Sequence, residues 1–106
     1  MTALLQRVSR SSVSVDGKVV GKIGQGLNIL LGIVEDDSET DIYLLVPNIL
    51  NLRIFEDEQG KMNRSLLDVD GELLVISQFT LAANIKKGRR PSFDKAMNPS
   101  RANELY

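Results

Sequence analysis

The chain has 106 residues, of which 42% are hydrophobic and 25% are charged, and its formal net charge is −1. That balance is typical of a globular protein, and the length suits one hydrophobic core, so we expect a single domain over residues 1–106. Cysteine and histidine are both absent. Their absence excludes disulfides, a thiolate nucleophile and Ser-His-Asp chemistry within these residues, and we expect neither a metal nor a cofactor.

The N-terminal residues MTALLQRVSR lack the basic start and long apolar stretch of a signal peptide, and no apolar run approaches a membrane-spanning length. We therefore expect a cytoplasmic protein that does not contact membranes. Charge is spread unevenly, because acidic residues crowd 35–41 whereas a second segment is basic. The basic run consists of Lys86, Lys87, Arg89 and Arg90.

Strand patterns dominate the first third of the chain. Valine and serine alternate over residues 11–15, Asp16-Gly17 follows, and apolar residues return over 19–23, which predicts a hairpin with a tight turn. Residues 27–34 form an almost unbroken apolar run that is short enough for a strand buried on both faces. We expect that strand to lie in the centre of a sheet.

A helix is predicted over residues 39–51. Ser38, with Asp41 three residues later, resembles a capping box with a shortened acid, and apolar residues follow at helical spacing. Pro47 lies inside this segment and removes a backbone donor, so we expect a kink or an irregular turn there.

Two further β segments and a terminal helix complete the prediction. Residues 52–55 and 62–67 can pair as a hairpin around the polar turn 56–60, and residues 72–81, ELLVISQFTL, predict a second central strand. Ser100 is expected to cap a helix over 101–105, which is too short to be stable alone. We expect a chain truncated at its C-terminus; a terminal helix docked on a partner subunit is the alternative.

Five segments together carry a specific resemblance. They are residues 4–8 (LLQRV), 12–17 (SVSVDG), 51–57 (NLRIFED), 77–81 (SQFTL) and 87–93 (KGRRPSF). In this order and spacing they resemble the D-aminoacyl-tRNA deacylase family, formerly called D-tyrosyl-tRNA deacylases, over essentially the whole chain. The resemblance implies an α+β fold in which twisted, mostly antiparallel sheets form a partial β-barrel with helices packed outside.

The resemblance also implies an activity. The family hydrolyses the ester of D-aminoacyl-tRNA and releases free D-amino acid and tRNA, which is a chirality proofreading step of translation. We expect glycyl-tRNA mischarged on a non-cognate tRNA to be hydrolysed as well. The family continues for roughly another third and acts as a homodimer. A Gly-Pro pair from that further part enters the active site of the neighbouring subunit, and Arg7 is placed to hold it. No such motif occurs in these 106 residues.

Candidate catalytic residues lie where the predicted strand 72–81 ends: Ser77, Gln78, Phe79 and Thr80. Backbone N–H groups that lose their ladder partners there can point at a ligand. We expect Thr80 and neighbouring amides to bind the acyl carbonyl while a water or the ribose hydroxyl of tRNA assists the attack. Gln78 can bind the terminal adenosine or orient water, and Phe79 can stack on a base. Each residue also has an ordinary structural interpretation, as a strand or core residue.

tRNA is the expected partner, and DNA is not. Lys86, Lys87, Arg89 and Arg90 follow the candidate site closely and suit contact with phosphates near the acceptor end, although a charge run is usually a solvated surface. Two rival functions stay open at this point. One is a non-catalytic tRNA- or RNA-binding module, and the other is a dimerisation or scaffold domain built from exposed sheet edges.

Overall fold

A computed structural model describes residues 1–82, 93 and 95–106. Seven strands, two α-helices and one 3₁₀ helix follow one another along these residues. The strands are β1 (Thr2–Val8), β2 (Ser11–Val15), β3 (Lys18–Ile23), β4 (Gly26–Gly32), β5 (Phe55–Glu56), β6 (Met62–Arg64) and β7 (Glu72–Ser77). The helices are α1 (Glu39–Asn51), the 3₁₀ helix Phe79–Ala82 and α2 (Pro99–Leu105). The predicted α+β class is confirmed.

The principal sheet has the order β1-β4-β7. β4 is its central strand, as predicted, and pairs antiparallel with β1 but parallel with β7. β7 was predicted to be a second central strand, and this is wrong for the described residues, since it lies at the edge of the sheet. Two separate hairpins, β2-β3 and β5-β6, are antiparallel. The partial barrel stays a prediction, because the described strands form three separate sheets.

The core lies on one face of the principal sheet. Side chains alternate along a strand, so Leu27, Ile29 and Leu31 of β4 project to this face. Leu27 and Ile29 are almost fully buried against Phe55 and Leu66. A second group forms where the sheet meets α2. It consists of Leu31, Ile33, Met97 and Leu105. The two groups together hold both α-helices on the same side of the sheet.

Helix α1 begins and ends where the sequence predicts. The Asp41 carboxylate accepts a hydrogen bond from the Ser38 N–H at 2.9 Å, which stabilises the first turn. Pro47 is exposed, and the helix continues past it to Asn51. A proline at this position therefore does not end the helix, because tertiary packing of the apolar face outweighs one lost hydrogen bond.

Three local predictions were wrong. The predicted strand 62–67 stops at Arg64. The Ser65 N–H donates to the Asp68 carboxylate at 2.9 Å, and the Asp68 N–H donates to the Ser65 hydroxyl. These two hydrogen bonds form a turn that ends the strand. The partner strand is only Phe55–Glu56. Helix α2 is capped by Asn98, not Ser100, since the Asn98 side chain accepts the Ser100 N–H at 3.0 Å.

In the described residues, no helix is long and apolar enough to cross a membrane.

Candidate functional site

The candidate catalytic residues lie where the chain leaves the principal sheet. β7 ends at Ser77, four residues earlier than predicted, and a last ladder-like hydrogen bond runs from the Gln78 N–H to the Leu31 carbonyl at 2.8 Å. The 3₁₀ helix Phe79–Ala82 then turns the chain across the end of β4. Gly32 makes this crossing possible, since a Cβ there would lie only 2.8 Å from the Cβ of Leu81.

The main chain of this turn offers two candidate hydrogen-bond donors. Neither the Phe79 N–H nor the Thr80 N–H donates to another described residue. Phe79 is 59% exposed, Ser77 and Thr80 are also exposed, and Gln78 is half-buried. Two adjacent N–H groups on exposed residues thus have no acceptor within the described part of the chain, and such groups can bind an oxyanion. The role of these main-chain groups as donors to a ligand stays a prediction, and the predicted strand is replaced by a 3₁₀ helix from Phe79 onwards.

The side chains of Gln78 and Thr80 interact directly. Nε2 of Gln78 donates a hydrogen bond to Oγ1 of Thr80. Within the described residues, neither side chain hydrogen-bonds to a charged group. Thr80 therefore has no described base to take its proton.

A cavity of about 240 Å³ opens beside Ser77 and Phe79. It is lined by Ile33, Ser77, Phe79, Met97, Pro99, Ala102 and Asn103. The Phe79 ring also packs edge-to-face on Phe93, with centroids 5.1 Å apart. This surface is mostly apolar with a few polar groups, which suits a nucleoside or an acyl group.

The contribution of α2 to this cavity is absent from our sequence prediction. Pro99, Ala102 and Asn103 line it from one side of the helix, at the spacing of one helical face. Only that spacing could have indicated them. Arg101 fixes α2 against α1 by contacts with Glu39 at 3.3 Å and, within α2, with Glu104 at 3.0 Å. The pKa of Glu39 is lowered, first by a hydrogen bond from its own backbone and then by Arg101.

Arg7 lies away from these residues. Its guanidinium donates to the carbonyl of Ile54 at 2.9 Å and approaches Glu56 at 3.7 Å. It borders a different cavity, of about 390 Å³, together with Ser9, Gln25 and neighbouring residues. The structure therefore does not bring Arg7 together with Ser77, Gln78, Phe79 and Thr80 within one chain.

The basic run of Lys86, Lys87, Arg89 and Arg90 lies outside the described residues. In the part of the chain that is described, no group of three or more acidic, cysteine or histidine side chains could hold a metal ion.

Comparison with known proteins agrees with the motifs. A family described as D-Tyr-tRNA(Tyr) deacylase matches residues 4–106. D-aminoacyl-tRNA deacylases of Persephonella marina and Aquifex aeolicus are 67% and 63% identical over 106 residues. In both cases the match covers 100% of this chain and 72% of the relative.

Two solved structures share the fold. A c-Myc DNA unwinding element binding protein superimposes with a TM-score of 0.93 at 44% identity, covering 100% of this chain and 71% of its own. A probable eukaryotic D-amino acid tRNA deacylase gives a TM-score of 0.83 at 19% identity, covering 98% of this chain and 61% of its own. With the family match and the relatives above, these data establish that the chain belongs to the D-Tyr-tRNA(Tyr) deacylase family.

Proposed function

We propose that the chain hydrolyses the ester bond of D-aminoacyl-tRNA, and that it does so with main-chain groups at the end of β7. The observation that carries this proposal is the pair of N–H groups of Phe79 and Thr80, which donate to no described residue and lie next to the cavity lined by Ser77 and Phe79. The activity is the one that the names of the bacterial relatives state. A catalytic histidine or cysteine is not needed for it, which suits a chain that has neither.

The reaction needs a positioned water and stabilisation of developing negative charge. Water adds its oxygen to the ester carbonyl carbon, and the carbonyl oxygen becomes an oxyanion held by the N–H groups of Phe79 and Thr80. The carbon–oxygen bond to the ribose then breaks, and the ribose oxygen leaves with a proton from the attacking water. Fixing the ester beside these donors supplies much of the rate, because the reactants no longer have to find their orientation.

Ser77, Phe79 and the cavity bind the terminal nucleoside in this proposal. The ring of Phe79 is exposed on the cavity and can stack on the terminal adenine, which is favourable for any base. Ser77 offers a hydroxyl to the same space. This arrangement brings the 3′-linked ester close to the two N–H groups.

Selection of handedness follows from a clamp built on main chain. A clamp that holds the amino group and the Cα hydrogen of the substrate leaves no room for an L side chain. The side chain of a D-amino acid projects outwards, so a broad range of D substrates is accepted. Glycine has no side chain to exclude, and glycyl-tRNA also enters.

tRNA is the partner, and the basic run of Lys86, Lys87, Arg89 and Arg90 contacts its phosphates. The proposal also includes one domain over residues 1–106, a cytoplasmic location, and a homodimer in which Arg7 holds a loop of the partner subunit. What supports the dimer is the resemblance of the motifs, together with the separation of Arg7 from Ser77 in one chain.

The test is to incubate the chain with D-aminoacyl-tRNA and L-aminoacyl-tRNA of one tRNA, and to measure ester hydrolysis and tRNA retention separately. We expect the D ester to be released and the L ester to survive. A DNA duplex is the competitor of choice, since one solved relative carries the name of a DNA-binding protein. Retention of both esters intact would instead identify a non-catalytic RNA-binding module, and displacement by DNA would contradict the tRNA assignment.

A further inference from the structure

An aspartate is followed by glycine at two places in the chain, Asp16-Gly17 and Asp70-Gly71, and a valine precedes both pairs. Both aspartates have a φ of 51°, the left-handed conformation that aspartate tolerates in turns. Glycine carries no side chain that would shield its main-chain nitrogen. The two pairs are therefore alike in local sequence and in the conformation of the aspartate, and they differ in what holds the glycine.

The main-chain nitrogen of Gly71 is held by a hydrogen bond and by packing. Its N–H donates to the Leu66 carbonyl at 3.1 Å, and the Asp70 N–H donates to the Leu67 carbonyl at 3.3 Å. A Cβ at Gly71 would lie only 2.7 Å from Cδ1 of Leu66, which is a buried core residue. The nitrogen of Gly71 can therefore move only if this turn opens, which costs free energy.

Gly17 lies in the opposite environment. Asp16 and Gly17 are exposed and form the two-residue tip between Val15 and Lys18, which pair with each other across the β2-β3 hairpin. A Cβ at Gly17 would meet no atom within 4 Å, and the Gly17 N–H donates to no described residue. The Asp16 carboxylate makes no ion pair with a described residue. Only the turn itself restrains these groups, and exposed loop tips open at little cost in free energy.

We propose that Asp16-Gly17 is a site of spontaneous isoaspartate formation in the folded protein, whereas the fold protects Asp70-Gly71. The Gly17 nitrogen attacks Cγ of the protonated Asp16 carboxyl and forms a C–N bond. A C–O bond breaks, and the hydroxyl leaves with the proton of the N–H as water, which closes a five-membered succinimide. Water then opens the ring. Cleavage between the nitrogen and Cγ restores aspartate, and cleavage between the nitrogen and the α-carbonyl carbon gives isoaspartate.

Isoaspartate lengthens the main chain of the hairpin tip by one methylene group and leaves a free α-carboxylate. A two-residue turn sets the pairing of Val15 with Lys18, so the longer link disturbs that pairing. The same hairpin packs closely on β7, since a Cβ at Gly21 would lie 2.9 Å from Cδ1 of Leu74. The modified chain should therefore unfold at a lower urea concentration than the unmodified chain.

The test compares Asp16→Asn with Asp70→Asn. Asparagine forms the same succinimide with loss of ammonia in place of water, and hydrolysis then gives an acid, so mass spectrometry of the intact chain follows the reaction. The wild-type chain, which has no Asn-Gly pair, supplies the background. In urea the two variants should react at similar rates, because a valine precedes both pairs. In the folded state we expect Asp16→Asn to react about tenfold faster than Asp70→Asn, or more, because only the latter needs its turn to open.

A second measurement needs no substitution. The folded wild-type chain is aged in mild acid, and an isoaspartyl methyltransferase then transfers a methyl group from S-adenosylmethionine to each isoaspartate. We expect the methyl group in the peptide that contains Asp16 and not in the one that contains Asp70. Equal rates for the two folded variants, or a faster rate for Asp70→Asn, would overturn the proposal. Methylation of both wild-type peptides to the same extent, or of neither, would also overturn it.

Discussion

Arg7 and Ser77 lie on the same face of the principal sheet but at different ends of it. Arg7 pairs with Leu27 of β4, whereas Ser77 pairs with Leu31, four residues further along the same strand. At about 3.3 Å per residue, this separates the two positions by about 13 Å. An ester bound beside Ser77 is thus out of reach of Arg7 in the same chain. Within one chain, Arg7 instead anchors the segment that precedes β5.

Replacing Arg7 with alanine should destabilise the fold. The variant loses the hydrogen bond from the guanidinium to the Ile54 carbonyl, and because Arg7 is substantially exposed we expect the free energy of unfolding to fall by only about 1 kcal/mol. Urea denaturation measures the change. Arg10→Ala is the matched control, since Arg10 is exposed and makes no ion pair with a described residue. Equal stability of Arg7→Ala and Arg10→Ala would contradict the anchoring role.

Gly32→Ala should lower the rate of hydrolysis more than it lowers the stability of the principal sheet. The added Cβ meets the Cβ of Leu81 at 2.8 Å and so displaces the segment that carries Thr80. A displacement of about 1 Å at reacting groups can cost about a hundredfold in rate, so we expect hydrolysis to fall by about tenfold or more. The accompanying loss of unfolding free energy should be about 1–3 kcal/mol.

Gly24→Ala is the control for that variant. Its Cβ would lie 3.3 Å from the Glu72 carboxylate oxygen that accepts the Gly24 N–H at 3.1 Å, and a small shift of this flexible side chain relieves the contact without losing the hydrogen bond. We expect near wild-type hydrolysis and stability. If Gly32→Ala were as active as Gly24→Ala, the site would not depend on the crossing of Leu81 over Gly32.

Charge at the basic run should govern the salt dependence of tRNA binding. A variant with glutamine at all four positions, Lys86, Lys87, Arg89 and Arg90, should bind tRNA more weakly. The slope of log affinity against log salt concentration should also become flatter, by up to about 0.9 for each phosphate that the variant no longer neutralises. Lys18 and Lys22 of the β2-β3 hairpin, changed to glutamine, are the controls, and they match Lys86 and Lys87 in side-chain type. Affinity and slope that match those of the controls would remove the phosphate assignment.

Asp57 should make stability depend on pH in the acid range. Its carboxylate accepts the N–H of Lys61 at 3.1 Å and of Gln59 at 2.8 Å, and the pKa of Asp57 is lowered, chiefly by the hydrogen bond from the Lys61 backbone. A lowered pKa in the folded state stabilises the fold above the unfolded value of about 3.9, and this contribution is lost as pH falls through the folded pKa.

The comparison that tests this uses Asp57→Asn. Its free energy of unfolding should lie below that of wild type near neutral pH, and the difference should shrink as pH falls below about 4. Denaturation with urea at several pH values measures it. Asp36→Asn removes an exposed acid with no side-chain hydrogen bond to a described residue and should show a smaller difference. A difference for Asp57→Asn that does not change with pH would contradict the assignment.

The success of the sequence-based predictions depended on how local their causes are. Helix α1 was predicted to the residue because Ser38, Asp41 and the apolar spacing act within the helix itself. The end of β7 was predicted too late, because what turns the chain after Ser77 is the space above Gly32, which is remote in sequence. The local pattern of residues 72–81 contains no sign of that space.

The sequence indicates only those residues of the candidate site that are adjacent in the chain. Ser77, Gln78, Phe79 and Thr80 stand together in sequence, and their motif and their place after an apolar strand were enough to propose them as a site. Pro99, Ala102 and Asn103 reach the cavity only through the packing of α2, which no single-sequence pattern specifies. The separation of Arg7 from Ser77 depends on strand register, which likewise requires the structure.

The most direct test of the main-chain mechanism is the rate of D-aminoacyl-tRNA hydrolysis by Thr80→Val, which removes the hydroxyl and keeps the backbone N–H. We predict that the variant still hydrolyses the D ester at a rate within about tenfold of wild type, because the two main-chain N–H donors remain. A rate no greater than that in buffer alone, together with an acyl group found attached to Thr80 in the wild-type chain, would contradict it and make Thr80 the nucleophile.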